Sequence, residues 1–260
     1  MAKGSRTKSS SKVISRAMRS KTPAERKRDG KSGVRSIHDV RFPNEDRVYR
    51  AARDTLLKAE VELRREIEQV AALRRRLPLG GAAHDFEFEE QTESGMHTVR
   101  LSELFGDKDT LVIYSYMFGP QMKAACPSCT SILDSLDGAA PHITQRVSLA
   151  VVAKSPIARV RAFADQRGWR NLRLLSSASN SYNRDYHGET EEGAQRPILN
   201  VFVRKGEAIH HAYATELLFA PTAKGQNGRH VDMIWPLWNM LDYTPEGRGK
   251  DWYPRLSYTD

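Results

Sequence analysis

Cysteine is scarce in this 260-residue chain, which has only two. Two thiols cannot build the disulfide framework of a small secreted domain, nor fill a four-sulfur zinc site. Long apolar runs are missing as well. No stretch approaches the eighteen or so apolar residues of a membrane span, and no apolar segment follows the basic start as in a signal peptide. Neither a membrane partner nor export is therefore expected. The phosphate-binding loop, the Gly-rich dinucleotide fingerprint and the Gly-x-Ser-x-Gly elbow are all absent, which removes the commonest nucleotide and serine-hydrolase chemistries and leaves no cofactor to expect. Acids are absent from the first 24 residues, which are rich in Ser, Lys and Arg but poorer in apolar residues than an organelle-targeting peptide. Residues 1–40 hold twelve Lys or Arg against three acids, whereas the rest of the chain holds 29 of each sign. The net charge of +9 therefore belongs to the tail, and the remainder is neutral.

What is present begins with the placing of the two cysteines. Thr110-Leu-Val-Ile-Tyr-Ser-Tyr-Met-Phe118 is an apolar run rich in β-branched and aromatic residues, the pattern of a buried strand. A short loop leads to Cys126-Pro-Ser-Cys129, after which Ile132, Leu133, Leu136, Ala140 and Ile143 recur at helical spacing. A helix N-terminus offers unpaired N–H groups and the positive end of the dipole, and both favour a thiolate over a thiol. Pro127 suits the first helical turn, where its missing N–H costs nothing. A disulfide across two intervening residues closes too small a loop to add much stability, so the pair reads as redox chemistry rather than as a staple. Zinc is the rival. Cys126, Cys129 and His142 fit the first three ligands of a finger, but the fourth should fall at 146 to 148, where the chain has Arg146, Val147 and Ser148. No metal is expected. Without a secretion signal, a redox-type pair points to a reducing, cytoplasmic compartment.

The chain divides into three expected parts: a disordered basic tail over 1–40, a long amphipathic helix over 41–79, and an α/β domain over 80–260. The tail has too few apolar residues to offset the cost of ordering, and its charge makes weak nucleic-acid contact an expectation. Asn44 is placed to cap the helix. From Val48 to Leu77 the apolar residues recur every 3.6 positions, and Leu56, Leu63, Val70 and Leu77 sit seven apart. That stripe is expected either to form a homodimer seam or to lie on the domain. Further on, Phe86 to Leu104 reads as a hairpin-like stretch, Val147 to Ala153 as a buried strand, and Ser155-Pro156 as N-cap and first residue of a helix ending at Gly168. Leu172 to Leu175 is a short strand, and Ser176 to Gln195 a polar loop. Pro197-Ile-Leu-Asn-Val-Phe-Val203 and Ala208 to Tyr213 form a hairpin across Lys205-Gly206. Adjacent His210 and His211 point to opposite faces of a strand and cannot chelate together. A helix near Val231 to Leu241, bent at Pro236, comes last. Strand and helix alternating and then closing on a hairpin implies a mixed sheet covered on both faces.

That order resembles the thioredoxin fold. Cys126-Pro-Ser-Cys129 stands where the superfamily carries its Cys-x-x-Cys, and Pro197 to Gly206 resembles the segment that begins at the superfamily's cis-proline. Phe163-Ala-Asp-Gln-Arg-Gly-Trp169 and Asp185-Tyr-His-Gly188 are similar to the peroxiredoxin branch. Residues from about 37 onward, through Phe118-Gly-Pro, Cys126-Pro-Ser-Cys129, Leu174-Leu-Ser and Trp235-Pro-Leu-Trp238, resemble a bacterial thioredoxin-like family known only as a domain of unknown function.

The resemblance implies a dithiol–disulfide oxidoreductase in which Cys126 attacks and Cys129 resolves, acting on a protein or small-molecule disulfide and recharged by an unidentified reductant. It implies a cis Arg196–Pro197 bond lying against the cysteines, with the Arg196 backbone free to pair with substrate. Lys123 stands where peroxiredoxins place Thr, and Ala125 where thioredoxins place Trp. The similarity to the peroxiredoxin branch makes a thiol peroxidase the alternative, and a redox-silent scaffold with a basic tail is the third reading. Lys123 also offers a positive charge near Cys126.

Overall fold

The structure is a computed structural model that describes residues 36–218, 220–224 and 232–258. Residues 1–35 of the expected basic tail lie outside the described residues. The chain forms two compact units that divide after Leu73.

In the first unit an extended segment leads into helix α1 (Arg47–Arg75). The expected cap, Asn44, instead takes a left-handed turn with φ of 60°. Asp46 does the capping, its Oδ1 accepting from the Tyr49 N–H at 2.7 Å. The leading segment folds back on the helix: Arg53 lies 4.5 Å over the Phe42 ring, and Arg50 bridges Glu45 and Asp54. The apolar stripe keeps its helical period as far as Leu73 and is exposed, with Leu63 at 60% and Val70 at 40%, whereas Leu77 falls past the helix end.

The second unit holds a seven-stranded sheet. Strands β1 (Glu87–Thr92) and β2 (Gly95–Arg100) form the first hairpin, and β3 (Thr110–Tyr116) follows. Helix α2 (Pro127–Ile143) leads to β4 (Ser148–Ala153), α3 (Ile157–Arg167) and β5 (Leu174–Ser176). A short helix α4 (Tyr182–Asp185) precedes the hairpin of β6 (Ile198–Lys205) and β7 (Ala208–Ala214), and α5 (Pro236–Leu241) comes last. The sheet order is β2-β1-β5-β4-β3-β6-β7. β3 runs parallel to β4 and antiparallel to β6, so the sheet is mixed.

Apolar runs without polar alternation belong on strands buried on both faces, and the central strands comply. Along β3, Val112, Tyr114 and Tyr116 face a core shared with α2, α3 and α5, while Leu111 and Ile113 face one shared with Phe86, Phe88, Tyr182 and Phe202. Ile132 and Leu133 fix α2 onto the first core, each stabilising by roughly 1.5–3 kcal/mol. This is the mixed α/β sheet, with helices on both faces, that the strand and helix pattern implied.

Several boundaries differ from the sequence reading. Helix α3 is capped at Pro156 rather than Ser155, because the Ser155 N–H bonds the Phe118 carbonyl and its side chain accepts from Arg159. The polar stretch before Gln195 is not all loop: Tyr182 and Asn183 are buried on α4. Pro236 does not bend a longer helix but opens α5, where a proline's missing N–H is harmless, after a separate turn at Asp232–Ile234. Residue 231 lies outside the described residues.

Candidate thiol redox site

Cys126 is the N-cap of α2, with φ of −64° and ψ of 121°, and Pro127 occupies the first turn. The Cys129 N–H donates to Cys126 Sγ at 3.4 Å, so the sulfur takes the place that a Ser or Asp oxygen fills in an ordinary cap. Both thiols are free; Cys126 is half-buried, and Cys129 is 2% exposed. This difference sorts them chemically. A hydrogen bond from the Cys129 thiol, with backbone N–H groups of Cys129 and Ser128, brings Cys126 down to about 6 against the opposing effect of burial. The same thiol contact, with burial, pushes Cys129 well up. Hydrogen bonds, rather than a charge on Lys123, lead the lowering.

The loop from Met117 to Ala125 is held by a residue from another element. Arg159, on the first turn of α3, donates through Nη1 to the Gly119 carbonyl at 3.1 Å and through Nη2 to the carbonyls of Met122 and Lys123. Its guanidinium lies 4.2 Å over the Phe118 ring. Lys123 therefore enters the site through its backbone. The loop closes where the Cys126 N–H donates to the Met117 carbonyl at 3.1 Å.

Beneath α2, the Thr130 hydroxyl donates to the Cys126 carbonyl at 2.8 Å and stands 2.7 Å from the Tyr116 hydroxyl. With its one proton committed, Thr130 accepts from Tyr116. The helix is also fastened from outside. Asp134 accepts from Arg167 and from Trp169 Nε1, and Trp235 Nε1 donates to Ser131 Oγ at 3.0 Å.

The expected cis Arg196–Pro197 bond is a correction. Every described peptide bond is trans, including Arg196–Pro197. The Arg196 N–H donates to the Gly188 carbonyl at 2.8 Å, so it is not free to pair with an extended substrate. A proline that stands outside the ladder at the head of β6 needs no cis bond, since Ile198 makes the first pairing, with Ser115. The segment does run beside the thiol loop: a Cβ at Gly119 would lie 2.7 Å from Gln195 Cγ. His142 sits near the far end of α2, about 20 Å of helical rise from Cys129. Among the described residues no group of three His, Cys, Asp or Glu is placed to hold a metal.

Arg159 and the tyrosines beneath α2 were not singled out in the sequence. The tyrosines had a signal: hydroxyl-bearing rings two apart in a strand share a face. Arg159 had none, since its partners are carbonyls some 36 to 40 residues away.

A β3–α2–β4 unit with a cysteine capping α2, completed by an antiparallel hairpin, is a thioredoxin-like fold. The chain belongs to a family described as bacterial protein of unknown function, DUF899, whose model matches residues 40–258. No curated protein matches it. Among solved structures it is similar to thioredoxin peroxidase I of Plasmodium yoelii at 22% identity, covering 64% of this chain and 91% of that one with a TM-score of 0.41. The reduced 2-Cys peroxiredoxin of Plasmodium vivax is similar at 18% identity, over 64% and 96%, with a TM-score of 0.42. A peroxiredoxin-like protein of Aquifex aeolicus is similar at 15% identity, over 53% and 75%, with a TM-score of 0.37.

Proposed function

We propose that the protein is a dithiol–disulfide oxidoreductase of a reducing, cytoplasmic compartment. One observation carries this reading: the two thiols are sorted by their places on α2, Cys126 half-buried and lowered to about 6, Cys129 buried and raised. The accessible thiol is an anion at neutral pH, and the buried one keeps its proton until needed. The Cys126 thiolate attacks a substrate disulfide, forming a mixed disulfide and expelling one substrate sulfur as thiolate. Cys129 loses its proton and attacks Cys126. The Cys126–Cys129 bond forms, the second substrate thiol leaves with a proton, and the substrate is reduced by two electrons. A thiol reductant of the compartment returns the pair to the dithiol.

Turnover of an insulin-type disulfide, followed with and without peroxide, tests the reading. Disulfide reduction without peroxide consumption, lost in Cys126→Ser, is the expected result. Peroxide consumption with no disulfide exchange would replace the reading by a thiol peroxidase, in which Cys126 passes through a sulfenic acid. Full cellular function in a double Cys→Ser variant would leave a redox-silent scaffold.

A further inference from the structure

Tyr114 lies on β3 two residues before Tyr116, and the pleat turns both rings toward α2. Tyr116 spends its hydroxyl on Thr130. Tyr114 is wholly buried, and its hydroxyl meets no hydrogen-bond partner in the reduced protein. A phenol stripped of water and left unpaired carries a desolvation penalty that phenylalanine would avoid, so the hydroxyl calls for a use. The ionisable groups around it are Cys129, Cys126 and Tyr116. Around the Cys129 sulfur stand Cys126 from the start of α2, Tyr114 and Tyr116 from β3, and the Met117 backbone from the loop. Asp134, a turn further along α2, acts on Tyr116.

A protonated thiol is a poor acceptor, and a thiolate is a strong one. We propose that Tyr114 is a positioning residue whose hydroxyl donates to the Cys129 sulfur once that sulfur becomes a thiolate. The inference rests on the disulfide-exchange reading and deepens it. When Cys129 attacks the mixed disulfide, its proton must leave and its charge must be held in a buried place. Tyr114 keeps its own proton throughout and supplies the donor. In the reduced state the sulfur beside the hydroxyl is a thiol, a poor acceptor, and it becomes a strong one only during resolution. The ionised Cys129 engages Tyr114, which counters part of the upward push that burial gives the thiol.

The test uses full-length protein. In Cys126→Ser, Cys129 is the sole thiol, and its titration is read by thiolate ultraviolet absorbance. Adding Tyr114→Phe should cut the thiolate fraction at a given pH by about tenfold, the size of effect expected when one donor to a buried anion is lost. Site-specific fluorotyrosine at 114, the same shape but a stronger donor, should raise that fraction. An unchanged titration in both would overturn the proposal, and so would an unchanged fluorotyrosine result should Tyr114→Phe fail to fold. In the chain with both cysteines, Cys126 is loaded with thionitrobenzoate and its release by Cys129 is followed. Tyr114→Phe should slow release and move its pH profile upward; release at the wild-type rate and pH would overturn the role. The titration needs no turnover. A protein that reduces no disulfide but shows the titration shift refutes the oxidoreductase reading alone, whereas turnover without the shift refutes only Tyr114.

Discussion

At the scale of residues, the position of one sulfur relative to a helix start sets the chemistry. Cys126 accepts from the Cys129 N–H and its thiol sits near 6, while Cys129, three residues on, is pushed up. Alkylation of Cys126 in Cys129→Ser should rise with pH through about the point where its thiol ionises, and Cys129 in Cys126→Ser should react slowly at neutral pH. Faster reaction by Cys129 at pH 7 would reverse their roles. The sign for stability follows. Cys126 is depressed in the folded protein, so between about 6 and the ordinary thiol range near 8.5 the unfolded chain binds more protons. Reduced wild type should therefore gain stability over Cys126→Ser as pH rises across that window and lose the gain as pH falls through 6. Denaturant melts at several pH values measure the difference. Arg159 gives a second test. Arg159→Met leaves the carbonyls of Gly119, Met122 and Lys123 without their donor and should destabilise by about 1–3 kcal/mol. Arg159→Lys should recover part of this, since one ammonium cannot reproduce the planar fork. A thermal melt unchanged in Arg159→Met would show that water replaces the clamp.

Elements add what single residues lack. Helix α1 carries Leu56, Leu63 and Val70 in an exposed row, with Leu77 exposed just past its end, an arrangement a second copy of the helix can cover. Glu at Leu63 and Val70 should halve the mass seen in solution while leaving thiol reactivity intact. Light scattering that finds wild type and variant at the same mass would remove the dimer seam. Because both side chains are exposed, the substitution tests association rather than core packing. Helix α2 is the contrasting case. Its apolar face is buried and its outer side is fastened by Asp134 and Trp235, so the cysteines ride on a fixed platform.

For the whole molecule, charge and site are separable. The excess positive charge lies within residues 1–40, and the cysteines sit in the second unit. Deleting residues 1–40 should leave the fold and the Cys126 alkylation profile unchanged. Any nucleic-acid binding should disappear with the tail, and in the full chain it should weaken steeply with salt, as phosphate contacts do. Loss of thiol reactivity on truncation would show that the tail serves the site. Among the described residues no helix is long and apolar enough to cross a membrane.

What the sequence determined by itself were the features written in neighbouring residues. Helical period, a buried strand's apolar run, a Pro in the first turn and a Cys at the cap are each set within a few positions, by local sterics and by which face must be buried. The α/β class, the long helix, the thiol pair on α2 and the hairpin across Gly206 were legible for that reason. Helix ends were less so: Ser155 could cap α3 by type, but tertiary bonds to Phe118 and Arg159 engage it first. The state of the Arg196–Pro197 bond, the clamp of Arg159 on the loop and the unpaired Tyr114 hydroxyl under Cys129 were decided only by tertiary structure. Each depends on groups far apart in the chain, and burial, which makes an unpaired donor or carbonyl costly, exists only once those groups have met.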